Sequence, residues 1–264
     1  MGGVEGLREL WRAGKVVNAA WCLTADGLIA ETLAHAGFDS IVLDLQHGMA
    51  IGPDRAASWL QATASSSVPT LVRVPWNEPV HMQYVLDAGA DGVIVPMVNT
   101  PEEAARAAKA CRYGPNGIRS FGPNRARFRA GATSDLVRGN EQVVCLVMIE
   151  HVDGLKNVEA IVNTPGVDGV FVGWADLALS MGLDLTNRDA PFLESMFRIA
   201  KVARTAGKVA GIPTPGGISE IPMYVSHGFN FTPICTDSVL VRLGAATALQ
   251  QFGQVSQPTA AAVR

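Results

Sequence analysis

Apolar, β-rich runs recur along the chain, with amphipathic segments of helical period between them. The runs predict strands at Val16–Thr24, Ser40–Gln46, Pro69–Val74, Gly92–Val98, Val143–Ile149, Asp168–Gly173, Lys208–Pro213 and Phe229–Cys235. Most are continuously hydrophobic rather than alternating. That pattern suits parallel strands covered by helices on one side and packed inside on the other. The intervening segments predict helices at Asp26–Ala36, Pro53–Ser65, Pro79–Ala88, Pro101–Cys111, Asp153–Val162, Ala190–Ala206, Ile218–His227 and Ser238–Phe252. Thr100-Pro101-Glu102-Glu103 offers an N-cap hydroxyl, a proline at the first helical position and acids in the first turn. Ala36-Gly37, Ala88-Gly89 and Ala206-Gly207 place a glycine just past a helix end, where a left-handed cap is common.

Alternation of strand and helix predicts an α/β fold, a (β/α)8 TIM barrel, with Val4–Ala13 as an extra N-terminal helix. Residues 1–252 are expected to form one barrel domain and 253–264 a flexible C-terminal tail. An open doubly wound sheet is the alternative. No GxGxxG or GxxxxGK[ST] follows the first strand, so nucleotide binding has no sequence support.

Composition narrows the function classes. The 264 residues carry a formal charge of −3, with 48% hydrophobic and 17% charged residues. Near neutrality argues against nucleic acid as a partner, since phosphate binding needs clustered excess Lys and Arg. No apolar run reaches the ~18 residues of a membrane span, and the N-terminus lacks a signal-peptide layout. The four cysteines, Cys22, Cys111, Cys145 and Cys235, form no CxxC pair, which predicts a reduced chain in the cytoplasm.

In a barrel the chemistry sits where strands end. The second strand ends in Asp44-Leu45-Gln46-His47, the third near Arg73, the fifth at Glu150, and the sixth runs into Gly173-Trp174-Ala175-Asp176. Glu150 and Asp176 follow consecutive strands, about 4.8 Å apart. Two such carboxylates repel unless a cation lies between them, and hard oxygens suit Mg²⁺ or Mn²⁺. The competing reading makes Asp176 a helix cap. His47 is a candidate base, with Asp44 placed to orient it, or else a structural histidine. Arg73 lies in an apolar strand and must meet an anion, either a substrate at the mouth or an internal partner such as Asp44 or Glu150. His35, His81, His151 and His227 read as surface or packing residues. The excursion between residues 114 and 140, flanked by Arg112, carries Arg119, Arg125, Arg127, Arg129 and Arg138. It is expected to hold one clamp for a substrate carboxylate, assigned to Arg125. Lys15, Lys109, Lys156, Lys201 and Lys208 all fall in helices or at the wrong strand ends, so Schiff-base chemistry is disfavoured.

The stretches GFDSIVLDLQHG, VRVPWNEP, LDAGADGVIVPMVNTPEEA, RYGPNGIRSFGPNRA, MIE and GVDGVFVGWADLALSMG resemble the HpcH/HpaI family of class II pyruvate aldolases. The likeness runs from about Ala13 to Gln250. It implies a barrel with a swapped C-terminal helix, assembled as a homohexamer from three dimers. It implies a divalent metal (Mg²⁺, Mn²⁺ or Co²⁺) held by Glu150 and Asp176, with pyruvate and an aldehyde as substrates. Arg73 matches the arginine that stabilises the enolate oxygen, and His47 the histidine of proton transfer. Asp44 and Asp87 match acids that support that histidine, one of them across a subunit interface. Gly173, Ala175 and Asp176 match the backbone that holds the pyruvate carboxylate. Three substrate-lining positions depart: Gln46 for a common Glu, Met148 for a common Gln, and Trp174 for a common Pro. The expected reaction is reversible cleavage of 4-hydroxy-2-oxoacids. The rivals are another enolate lyase on the same site, such as an oxaloacetate decarboxylase or a citramalyl-CoA-type lyase, and a non-catalytic ring-forming barrel.

Overall fold

The computed structural model describes residues 3–49, 52–123, 125–128, 136–186 and 189–256. The first half contains α1 (Gly3–Arg12), β1 (Val17–Cys22), α2 (Gly27–Ala34), β2 (Ser40–Asp44), α3 (Pro53–Ala62), β3 (Thr70–Arg73), α4 (Pro79–Asp87), β4 (Gly92–Val95), α5 (Pro101–Ala110) and α6 (Leu136–Glu141). The second half contains β5 (Val144–Ile149), α7 (Val152–Lys156), α8 (Val158–Asn163), β6 (Gly169–Val172), α9 (Trp174–Ser180), α10 (Ala190–Thr205), β7 (Val209–Gly211), α11 (Ile221–Ser226), β8 (Phe231–Thr236) and α12 (Asp237–Ser256). The strands close a barrel in chain order, and every neighbouring pair is parallel. All eight expected strands exist, each trimmed at one or both ends.

Strand parity sorts side chains into two apolar clusters, because successive residues face opposite sides. Outward residues such as Ile41, Val72, Val93, Cys145 and Val170 pack under the helices. Inward residues Ala19, Trp21, Val42, Leu71, Ile94, Leu146, Met148, Phe171 and Phe231 fill the barrel. Helix α1 stops the strand N-terminal end with Val4, Leu7 and Trp11, which join the inner cluster. Four rings rise from that plug: Trp11 to Phe231 at 6.1 Å, Phe231 to Phe171 at 5.9 Å, and Phe171 to Trp21 at 5.5 Å. The same inward parity continues past the apolar layers to Asp44, Arg73 and Glu150. The polar layer at the mouth is therefore the next pleat of the core strands.

Beyond that trimming, two helices depart further from expectation. The single helix expected over Asp153–Val162 is split at Asn157, whose backbone (φ −94°, ψ 9°) leaves the helix while its side chain donates to the Asn99 carbonyl at 2.8 Å. Helix α12 runs on to Ser256, so Gly253–Ser256 are helical, and residues 257–264 lie outside the described residues. Along α12, Val241, Leu243, Leu249 and Phe252 are exposed.

Candidate active site

Asp44 is the anchor of the mouth. It is fully buried, and its two oxygens accept from Arg73 in a bidentate pair, through Nε at 3.0 Å and through one terminal nitrogen. The Trp21 indole N–H donates to it at 3.0 Å, and the backbone N–H groups of Gln46 and His47 donate at 2.9 and 3.1 Å. Burial pushes this carboxyl toward neutrality, but Arg73, Trp21 and the His47 amide together hold it below the usual carboxylate range. Arg73 also lies over the Trp21 ring at 5.0 Å, the distance of a cation–π contact. Its second terminal nitrogen makes no hydrogen bond among the described residues. The arginine is thus fixed on two sides and open on a third.

Glu150 is 2% exposed and takes one backbone hydrogen bond, from Met97 N–H to Oε1 at 2.6 Å. Its other oxygen packs against Gly173, where a Cβ would overlap Oε2, so only glycine admits the carboxylate there. Burial is the main influence on its charge. The Met97 amide and Arg73 lower the pKa and the nearby Asp176 carboxylate raises it, and the balance brings Glu150 up to about 7. Asp176 occupies the first turn of α9, whose N-cap is Gly173, so it is not the capping residue. It is exposed at the mouth and makes no hydrogen bond with another described residue. Nor does Glu150 pair directly with Arg73, whose partner is Asp44. Both ordinary structural roles for the two carboxylates are therefore unfilled. What remains is a buried carboxylate near a second one, with no neutralising side chain of its own.

That donor set fits a hard divalent cation. No group of three or more His, Cys, Asp and Glu able to hold a metal occurs among the described residues. Two carboxylates leave the other positions to water and substrate oxygens, the pattern of Mg²⁺ sites built from one or two carboxylates.

The remaining expected residues divide by face. His47 is exposed at the mouth, and Asp44 fixes its backbone amide rather than its imidazole. Gln46 is half-buried beside it, with Oε1 buried and without a partner. Met148 is buried in the barrel, two residues below Glu150 on the inward side of β5. Trp174 and Ala175 open α9, and their amides precede the first intrahelical bond, which Leu177 makes to Gly173.

Asp87 and Arg125 are not brought to this mouth. Asp87 ends α4 at the opposite face, and its carboxylate pairs with Arg119 at 2.7 Å. Arg125 donates to the Ala88 carbonyl at 2.9 Å, on the same face. Arg112 joins Asp168 there at 3.1 Å. The arginine-rich excursion therefore ties down the strand N-terminal end of its own barrel. Arg129 and the side chain of Arg138 lie outside the described residues. Two further contributors carry little or no signal in the sequence. Trp21 is signalled by an indole N–H inside an apolar strand, which needs an acceptor when buried. Met97 is signalled by nothing, because its role lies in its backbone.

Comparison with known proteins gives a consistent result. The family model described as HpcH/HpaI aldolase/citrate lyase matches residues 19–219. The hydroxypyruvate/pyruvate aldolase of Rhizorhabdus wittichii is 36% identical over 242 residues, covering 90% of this chain and 95% of that protein. The 4-hydroxy-2-oxovalerate aldolase of Rhodococcus jostii is 32% identical, covering 96% and 98%. A solved HpcH/HpaI aldolase/citrate lyase family structure from Burkholderia cenocepacia superposes with a TM-score of 0.84 at 32% identity, covering 93% of this chain and 98% of that one.

Proposed function

The chain belongs to the HpcH/HpaI aldolase/citrate lyase family and is an aldolase, a carbon–carbon lyase; from that premise we propose that Glu150 and Asp176 hold a divalent ion at the mouth, where the enzyme cleaves 4-hydroxy-2-oxoacids reversibly to pyruvate and an aldehyde. The observation that carries this reading is the convergence there of two unneutralised carboxylates and one clamped arginine. When bound, the ion supplies Lewis-acid polarisation of the substrate's keto and carboxylate oxygens.

The chain's own groups do the rest. His47, exposed at the turn after β2, accepts the proton of the C4 hydroxyl, directly or through water. The C3–C4 bond then breaks, C4 leaves as the aldehyde carbonyl, and the electron pair passes into the pyruvate enolate. Arg73 presents its free nitrogen to the oxygen where that charge grows, and its fixed position spares reorganisation. The amides opening α9 face the substrate carboxylate. Protonation at C3 releases pyruvate. Trp21, Met148 and Phe171 floor the site with apolar surface and keep water from below.

The family resemblance and the exposed apolar residues of α12 support a homohexamer, a trimer of dimers, in which Asp87 reaches a neighbouring mouth. Four cysteines without a disulfide support a reducing, cytoplasmic setting. No helix of the described residues is long and apolar enough to cross a membrane. The CoA-type rival loses its support within one chain, because Arg112, Arg119 and Arg125 are engaged at the far face. A condensation assay of pyruvate with a panel of aldehydes tests the proposal. Turnover lost on chelation and restored by Mg²⁺, Mn²⁺ or Co²⁺ is expected; turnover indifferent to chelation would reject it.

A further inference from the structure

The link from β4 to α5 has an unusual backbone. Met97 sits at φ +54°, and it is the one non-glycine residue with positive φ among the described residues. Left-handed backbone costs a side-chain-bearing residue on the order of 1 kcal/mol or more, so something must impose it. At Met97 the amide points at Glu150 Oε1, 2.6 Å away.

The segment after Met97 is gripped from three directions. Glu103 Oε2 accepts from the Asn99 amide at 2.6 Å and from the Thr100 amide at 3.2 Å, while Thr100 Oγ1 accepts from the Glu103 amide at 3.2 Å. Asn77, only 3% exposed, donates from the β3–α4 link to the Glu103 carbonyl at 3.1 Å. Asn157 donates to the Asn99 carbonyl at 2.8 Å, and the Val98 amide reaches the Met148 carbonyl at 3.3 Å. Gly154 lets α7 lie against the same stretch, since a Cβ there would fall 2.9 Å from the Val98 carbonyl oxygen. Asn157 and Gly154 belong to the chain that leaves Glu150, so the grip closes back on the segment carrying the carboxylate. Asn157 pays for this contact with the helix break seen at that residue.

Resting on the metal reading above, we propose that Met97 is a positioning residue for Glu150. Its backbone amide, held left-handed by Asn99, Glu103, Asn157 and the bare face at Gly154, fixes one oxygen of the carboxylate so that the other is aimed at a divalent cation. The side chain of Met97 plays no part. A hydrogen bond to a ligand carboxylate from outside the coordination sphere is worth about 10- to 100-fold in metal affinity.

The test is calorimetric titration of Mn²⁺ into chelated full-length protein, with circular dichroism melting of the same samples. Asn157→Leu keeps the size but removes the donor, and is expected to raise the Mn²⁺ dissociation constant about tenfold or more. Gly154→Ala pushes the same loop while favouring the helix, and is expected to weaken Mn²⁺ in the same direction; it serves should Asn157→Leu not fold. Met97→Ala keeps the amide and is expected to leave the constant within about twofold of wild type. A folded Asn157→Leu or Gly154→Ala protein with wild-type affinity would overturn the proposal, as would a Met97→Ala loss as large as theirs. Absence of Mn²⁺ binding to the wild type would overturn the metal reading and this inference with it. Binding by the wild type that none of the variants weakens would overturn this inference alone.

Discussion

The two ends of the barrel both carry charge, and they handle it in opposite ways. At the strand N-terminal face two acids close on arginines. Asp168 takes Arg8 at 2.9 Å and Arg112 at 3.1 Å, and Asp87 takes Arg119 at 2.7 Å. At the mouth Asp44 and Arg73 close on each other, but Glu150 feels the like charge of Asp176, and neither of those two carboxylates makes an ion pair among the described residues. Paired charge behind the plug helix holds the fold together. Unpaired like charge at the mouth costs stability, which fits the cation binding proposed above.

The mouth should be the most sensitive part of the molecule. Glu150→Gln keeps the shape of the side chain and removes its charge. Condensation activity and calorimetric metal binding should both fall below detection while the protein stays folded. Retained metal binding would move the site elsewhere. Arg73→Ala should cut turnover about 10²-fold or more, the scale of one lost oxyanion donor. Near-normal turnover would reduce Arg73 to a partner for Asp44.

A third effect sharpens the contrast through pH. In the chelated protein Glu150 has a folded pKa of about 7 against an ordinary 4.5. The folded state binds its proton more tightly than the unfolded state does, so the contribution is fully present below pH 4.5 and is lost as pH rises to 7. By proton linkage this amounts to about 3 kcal/mol. Chemical denaturation from pH 4.5 to 7.5 should show this decline in the chelated wild type and not in Glu150→Gln. Parallel curves would mean that Glu150 titrates normally. The smallest effect lies at the other face. Asp168→Asn leaves two guanidiniums without their anion in a partly exposed setting, and should cost about 2 kcal/mol of unfolding free energy. Turnover should stay within about twofold; a large loss would couple the two faces.

Much of this contrast is legible in the sequence. Continuous apolar runs with helical spacers read as a barrel because they need cover on both faces, and the polar residues just past each run read as the mouth. Strand ends alone placed Asp44, Arg73, Glu150 and Asp176 together. Partner choice within the mouth is only partly legible: Asp44 is one of two internal partners open to Arg73, and the structure selects it. Asp44 stands near His47 in sequence and accepts from its backbone amide, but its side-chain partners are Arg73 and Trp21 rather than the imidazole, because a buried carboxylate is satisfied by whichever donors the pleat brings inward. Arg125 lay beyond a strand-end argument, since it sits in a long excursion whose path is set by contacts across the bottom of the barrel. Met97 was invisible because a positive φ at a non-glycine residue is imposed by neighbours far away in the chain. Helix boundaries were blurred for the same reason at Asn157, where a tertiary hydrogen bond outweighs local periodicity.

If the open pair of carboxylates supports enolate chemistry on a metal, the enzyme exchanges the methyl protons of pyruvate into deuterated water, whatever the aldehyde. Proton NMR of pyruvate with the wild-type enzyme should show the methyl signal fading when Mg²⁺, Mn²⁺ or Co²⁺ is present and persisting after exhaustive chelation. Exchange that continues unchanged in the chelated enzyme, or that never occurs with any of the three ions, would contradict the account.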